Sequence, residues 1–248
     1  MLNRDPLRWN AMRWFAAAVL GTVIHMEPAS AEDVPPPGSS GNPHIAIDST
    51  LDYSTFSHSF DINALVPLGG HLNESGFRAR FTAATSGYKF PSGEPSDDLA
   101  SGRSHEGDIL VGYGWSLPRL SIVLVGGYAL IESINDPGIR RTQSGGKTVL
   151  SIYGTPTDQT MTYSRFQYST INEALELQMK GGVKIFNFAY LGPEGKFASR
   201  IGSEERRFGP HLSGVTLGPV SLSLSAGWLF NSVLGSGRYV SGSAYAAF

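Results

Sequence analysis

Residues Val220 to Phe230 read VSLSLSAGWLF. Val220, Leu222, Leu224, Ala226, Trp228 and Phe230 take every second position, and Ser221, Ser223, Ser225 and Gly227 fill the gaps. A period of two belongs to a strand, because successive side chains of extended backbone point to opposite sides. The polar partners are serine and glycine rather than the Lys/Glu mixture of a soluble sheet's wet face. An aromatic pair closes one end of the apolar stripe. Such a strand suits lipid on one side and a packed or wet lumen on the other.

Outward from this stretch the same alternation recurs between clusters of Gly, Pro, Asn and Asp, the mark of many short antiparallel strands. The pattern predicts strands near His44 to Ser54, Phe60 to Leu68, Gly76 to Phe90, Ser104 to Ser116, Leu120 to Ser133 and Lys147 to Thr155. It continues with Met161 to Thr170, Asn172 to Lys184, Ile185 to Tyr190 running on toward Phe197, Arg206 to Leu217, Val220 to Phe230 and Arg238 to Phe248. The expectation is therefore an all-β chain, an antiparallel up-and-down transmembrane β-barrel of about 12 strands (10–14). Leu117-Pro118-Arg119 and Leu217-Gly218-Pro219 read as tight turns at the periplasmic end. Pro91 to Gly102, Ile134 to Gly145 and Arg200 to Glu205 read as longer polar loops at the outer end. Ile171 to Met179 is rich in helix formers. However, Leu175, Leu177 and Met179 alternate with Glu176, Gln178 and Lys180, and Gly181-Gly182 would break a helix, so a strand is expected.

The first residues have another character. Arg4, Arg8 and Arg13 precede an apolar run from Trp14 to Ile24, and Ala29-Ser30-Ala31 supplies small residues for a cut. Residues 1–31 are expected to be a cleaved secretory signal peptide. Residues 32–43, EDVPPPGSSGNP, would be a flexible periplasmic tether, and 44–248 the barrel. No other stretch offers about 18 consecutive apolar residues, so no transmembrane helix is expected. The chain of 248 residues has no cysteine, which leaves sheet closure or a conventional core to stabilise an exported fold. Its net charge is −2, and −3 once Arg4, Arg8, Arg13, Asp5 and Glu27 are removed. That argues against a nucleic-acid partner. A mean hydropathy of −0.10 suits a barrel, in which only alternate residues meet lipid.

The two faces of each strand then carry the functional reading. Phe77, Ala79 and Phe81 oppose Arg78 and Arg80. Ile109, Val111, Tyr113 and Trp115 oppose Glu106 and Asp108, and Leu175, Leu177 and Met179 oppose Glu176, Lys180 and Lys184. In a soluble barrel these charges would be surface. In a membrane barrel Arg78, Arg80, Glu106, Asp108, Glu176, Lys180 and Lys184 line the lumen, and Tyr113, Trp115, Tyr128, Trp228 and Phe230 form aromatic girdles against outer-membrane lipid.

Gly87-Tyr88-Lys89-Phe90, Glu106 to Tyr113 (EGDILVGY), Asn135-Asp136-Pro137, Leu191-Gly192-Pro193-Glu194, Arg207 to Gly214 (RFGPHLSG) and the tail Gly237-Arg238-Tyr239 to Phe248 carry a resemblance. Over most of the chain after the leader, the sequence resembles the cellulose biosynthesis protein BcsS family, secreted proteins of alphaproteobacteria. The resemblance implies an outer-membrane barrel that takes part in exopolysaccharide secretion and biofilm formation. It also implies contact with a cellulose (glucan) chain or with other components of the cellulose synthase complex. It supplies no catalytic residue.

Catalytic patterns are present but weak. Ser104-His105-Glu106 holds the residue types of an activated nucleophile, yet alternation puts His105 on the face opposite Ser104 and Glu106. His58-Ser59 sits in a short polar turn. Gly145-Gly146-Lys147-Thr148 lacks the first glycine of a phosphate loop, and no helix follows it. Glu106 and Asp108 form a carboxylate pair of the kind used in glycoside hydrolysis, but ion pairs to Arg78 and Arg80 on the preceding strand are the plainer reading. His44, His71 and His211 are too dispersed for a ligand set. The expected function is a non-enzymatic accessory barrel of cellulose secretion, a scaffold or narrow conduit, without metal or cofactor. A small porin and a lipid- or glucan-modifying enzyme are the alternatives.

Overall fold

The structure is a computed structural model that describes residues 42–91, 99–135, 138–186 and 189–248. The expected signal peptide, and the tether as far as residue 41, lie outside the described residues. The chain forms β1 (Ala46–Ser54), β2 (Ser57–Pro67), β3 (Gly76–Pro91), β4 (Leu99–Leu117), β5 (Leu120–Asn135), β6 (Ile139–Thr157), β7 (Thr160–Ser169), β8 (Ala174–Ile185), β9 (Ala189–Arg200), β10 (Ser203–Leu217), β11 (Val220–Asn231) and β12 (Gly235–Ala247). Each strand pairs antiparallel with its sequence neighbours, and β1 pairs with β12 to close the sheet. The twelve strands are the number the alternation predicts.

The two ends of the barrel differ. At one, here the terminal end, the Ile45 and Phe248 backbones exchange hydrogen bonds of 3.1 and 2.8 Å, and the turns after β2, β4, β6, β8 and β10 gather there. At the other, the far end, β3 to β6 run on beyond their neighbours. Within Pro91 to Gly102 and Ile134 to Gly145, read from sequence as loops, strand takes up Pro91, 99–102, 134–135 and 139–145: β4 begins at Leu99 and β6 at Ile139, while residues 92–98 and 136–137 lie outside the described residues. Polar composition misled there, because a strand that rises past the lipid has two wet faces and no apolar stripe. Arg200 to Glu205 shortens likewise to a turn at Ile201 and Gly202. Ile185 ends β8 rather than opening β9, and helical geometry near Ile171 is confined to the single turn Ile171–Glu173.

Alternation sorts the side chains as a membrane barrel requires. Phe77, Ile109, Val111, Tyr128, Leu224, Trp228 and Phe230 are exposed on the outward face. The inward face bends sharply at a few glycines. A Cβ on Gly127 would lie 2.2 Å from the Ile109 carbonyl oxygen, and one on Gly112 only 1.9 Å from that of Leu124. Only hydrogen fits at these corners of β4 and β5, the usual way a closed sheet turns tightly.

The core lies inside the barrel, toward the terminal end. Leu65, Leu110, Val125, Val149, Met161 and Tyr245, from six different strands, pack there at 6% exposure or less. From below, the turn between β2 and β3 inserts Leu72, which is 2% exposed. Arg78 pins that turn. Its Nη2 donates to the carbonyl oxygens of His71 and Leu72 at 3.2 Å each, and also to that of Glu74. The lumen is thus filled with side chains at one end, which costs little because these residues bury apolar area as any core does.

Candidate functional site: a charged vestibule above a filled lumen

Above that layer the lumen opens into a cavity of about 630 Å³ that reaches the far end. Its wall is built from the inward positions of strands around the whole circuit. Lys147 of β6 donates to Glu106 Oε1 at 2.5 Å and to Asp108 Oδ2 at 2.6 Å on β4. Arg207 of β10 bonds Asp52 of β1 at 2.6 Å and Glu205 at 2.7 Å, with its guanidinium 5.3 Å from the centre of the Tyr239 ring. Lys196 reaches Glu176 at 3.0 Å, and Lys180 reaches Glu194 at 3.8 Å. Asn63 links this system to the first strands, donating to Asp48 and accepting from Arg80 at 2.8 Å and from Thr82 at 2.8 Å. Seven acidic and seven basic residues line the cavity, so it is strongly polar yet close to neutral.

The structure assigns the expected residues to different places. Glu106, Asp108, Glu176 and Lys180 face the lumen and are ion-paired there. Arg80 is buried among them, at 4% exposure. The partner of Glu106 and Asp108 is Lys147 rather than Arg78 of the preceding strand, which pairs in register with Gly112 and is engaged with the carbonyls of the terminal-end turn. Lys184 stands low on β8, in register with Tyr190 and outside the cavity wall. Tyr113 and Trp115 lie together near the terminal end, with ring centroids 5.0 Å apart and Phe77 against Tyr113. Tyr128, Trp228 and Phe230 lie higher and point outward.

Asp52, Lys147, Glu194, Lys196, Glu205 and Arg207 escaped the sequence reading. Glu205 and Arg207 carry the right parity, but nothing local says which strand faces them. The filled lumen had a legible signal: Ile122 to Val125 is apolar at consecutive positions, so β5 is apolar on both faces.

The weak catalytic patterns separate in space. Ser104 faces inward and shares a 2.8 Å hydrogen bond with Ser86, while His105 is exposed on the outer wall. His58 and Ser59 likewise point to opposite sides of β2. His44 and His71, expected apart, stack edge to face at 4.5 Å. His211 is buried in the lumen against Ser213 and the Gly181 carbonyl. Among the described residues, no group of three or more His, Asp or Glu is arranged to hold a metal ion.

An outward apolar band, two levels of aromatics and a polar, ion-paired interior define a transmembrane β-barrel with a vestibule at one end. The chain belongs to the cellulose biosynthesis protein BcsS family, whose sequence model matches residues 56–248. Among solved structures, the KdgM porin is 13% identical, with 81% of this chain and 98% of that one aligned and a TM-score of 0.44. The transport unit of the autotransporter AIDA-I from Escherichia coli is 10% identical, with 85% and 91% aligned and a TM-score of 0.49. The beta domain of the Bordetella autotransporter Brka is 10% identical, with 84% and 100% aligned and a TM-score of 0.49. No curated protein matches the sequence.

Proposed function

We propose that the barrel is a non-enzymatic accessory protein of the outer membrane that supports cellulose secretion from its outer face. Family membership supplies the cellulose context. The terminal end, where four of the five connections are two or three residues long and the fifth, 68–75, folds into the lumen, faces the periplasm. The extended β3 to β6 hairpins face outward, as short periplasmic turns and longer outer connections are arranged in such barrels. Residues 1–31 direct export and are then removed.

The observation that carries the reading is the filled lumen. With Leu65, Leu110, Val125, Val149 and Met161 packed across the terminal end, the protein acts as a scaffold and not as a solute channel or glucan conduit. Its vestibule is neutral and rich in hydroxyl, amide and paired charged groups. That chemistry suits a segment of uncharged glucan, or a polar loop of another component of the cellulose synthase complex, resting at the mouth. Glu106 and Asp108 share one lysine between them, which leaves neither placed as the free acid and base of a glycosidase.

The test pairs two measurements. Purified protein in a planar bilayer stays electrically silent under applied voltage, and a strain lacking the gene loses cellulose output that the wild-type gene restores. Steady salt-dependent currents would replace the scaffold with a channel, and unchanged cellulose would remove the protein from secretion.

A further inference from the structure

The outer wall carries a feature that a scaffold does not need. Where β1 to β4 approach the far end, a groove of about 310 Å³ is walled by Leu51, Phe60 and Thr85 and rimmed by His58, Arg103 and His105. Register explains the arrangement. Leu51 pairs with Phe60, Phe60 with Thr85 and Thr85 with His105, while in the next outward row His58 pairs with Gly87 and Gly87 with Arg103. The imidazole of His58 lies against the wall at Gly87, where a Cβ would come within 2.4 Å of its Cε1. Arg103 is exposed and, among the described residues, has no hydrogen-bond or ion-pair partner. Among the described residues the nearest acid in register, Glu132 opposite His105, is bonded to Arg140 at 3.0 Å.

A cation without a partner among the described residues, at the rim of the lipid-facing band, is complemented by a negative headgroup, and the apolar floor by a chain running toward the membrane interior. We propose that this groove binds a phosphorylated outer-leaflet lipid. An acyl chain lies on Leu51 and Phe60, and a phosphate is held by Arg103 with His58 and His105 beside it. A guanidinium grips phosphate by two parallel N–H donors, the strongest contact this rim offers. The assignment to the outer leaflet rests on the orientation given above; the chemistry of the groove does not.

The test places the purified protein in phosphatidylcholine nanodiscs doped with lipid A or with lipid A stripped of its phosphates, and reads retained lipid by native mass spectrometry. The wild-type protein retains the phosphorylated form. Arg103→Ala retains at least about tenfold less, the weight of one charge-assisted contact, and Thr85→Trp, which fills the groove without touching the charges, also loses it. A heat-dependent gel shift in every variant shows that the barrel has closed. Equal retention of the two lipid forms, or equal retention by wild type and Arg103→Ala, means an unselective lipid coat and overturns the proposal. Release by inorganic phosphate alone overturns it as well, since the ligand would then be free phosphate. Orientation is read separately. The chain has no cysteine, so Ser101→Cys on far-end β4 is probed in intact cells with a membrane-impermeant maleimide. Labelling only after lysis overturns the outer-leaflet assignment and the outward vestibule, while the nanodisc result still judges the groove.

Discussion

Lys147 and Asp108 meet at 2.6 Å although a whole strand separates them. Lys147 lies on β6 and Asp108 on β4. On the intervening β5 their register partners are Gly127 and Ala129, small enough for the lysine to reach over. The Lys147 side chain is 5% exposed and that of Asp108 fully buried, so the contact ties three strands together in a buried part of the lumen wall.

Lys147→Met is expected to be more damaging than its surface equivalent, because it abandons two buried or half-buried carboxylates. Breaking a buried pair from one side costs about 3–5 kcal/mol. The measurement is the urea midpoint of the heat-shiftable band in lipid. Asp108→Asn, which keeps Lys147 bonded to Glu106, should lose clearly less, and an equal loss would show that Lys147 is not the organiser of the cluster.

Gly127→Val should prevent closure. Its Cβ would lie 2.2 Å from the backbone oxygen of Ile109, a contact that moving a side chain cannot relieve. The expected result is protein that runs unfolded on a gel with or without boiling. Gly138→Ala is the control, with nothing within 4 Å of its Cβ but a φ of +102° that taxes any side chain; it should still close.

The filled lumen predicts that silence in a planar bilayer can be undone. Replacing Leu110, Val149 and Met161 together by glycine removes the middle of the apolar layer and should open currents in a barrel that still shifts on heating. Arg78→Ala should act differently, freeing the turn of His71 to Glu74. Hydrogen exchange there should rise while the strands stay protected. Exchange unchanged in that turn would mean that Leu72 alone holds it.

The membrane reading predicts a depth gradient along β11. Leu224, in the middle of the outward stripe, and Trp228, nearer the far end, are 55% and 59% exposed, so in water an arginine would be equally harmless at either. In a bilayer, Leu224→Arg should cost about 2–4 kcal/mol and Trp228→Arg about 0–1 kcal/mol beyond the lost ring. Unfolding titrations in lipid vesicles check this, and equal costs would place the lipid elsewhere on the barrel.

Strand number, order and sidedness were legible in the sequence because alternation is a local property. Val220 to Phe230 declares its two faces without reference to any other strand, and most of the other strands do the same over their membrane-level halves, β5 excepted, where Ile122 to Val125 is apolar on both faces. Reading failed where the local signal was absent, in the wet upper halves of β3 to β6. It also failed where the answer lay in pairing: Glu106 and Asp108 show a lumenal parity, but only closure of the sheet brings Lys147 over β5, or Arg207 of β10 round to Asp52 of β1. The division of the lumen was likewise a tertiary decision. Ile122 to Val125 announces a second apolar face on β5, but Val125 and Val149 become a core only when closure of the sheet brings them together with Leu65, Leu110 and Met161. Periodicity travels along one strand, whereas contact across a barrel depends on register and curvature summed over many strands.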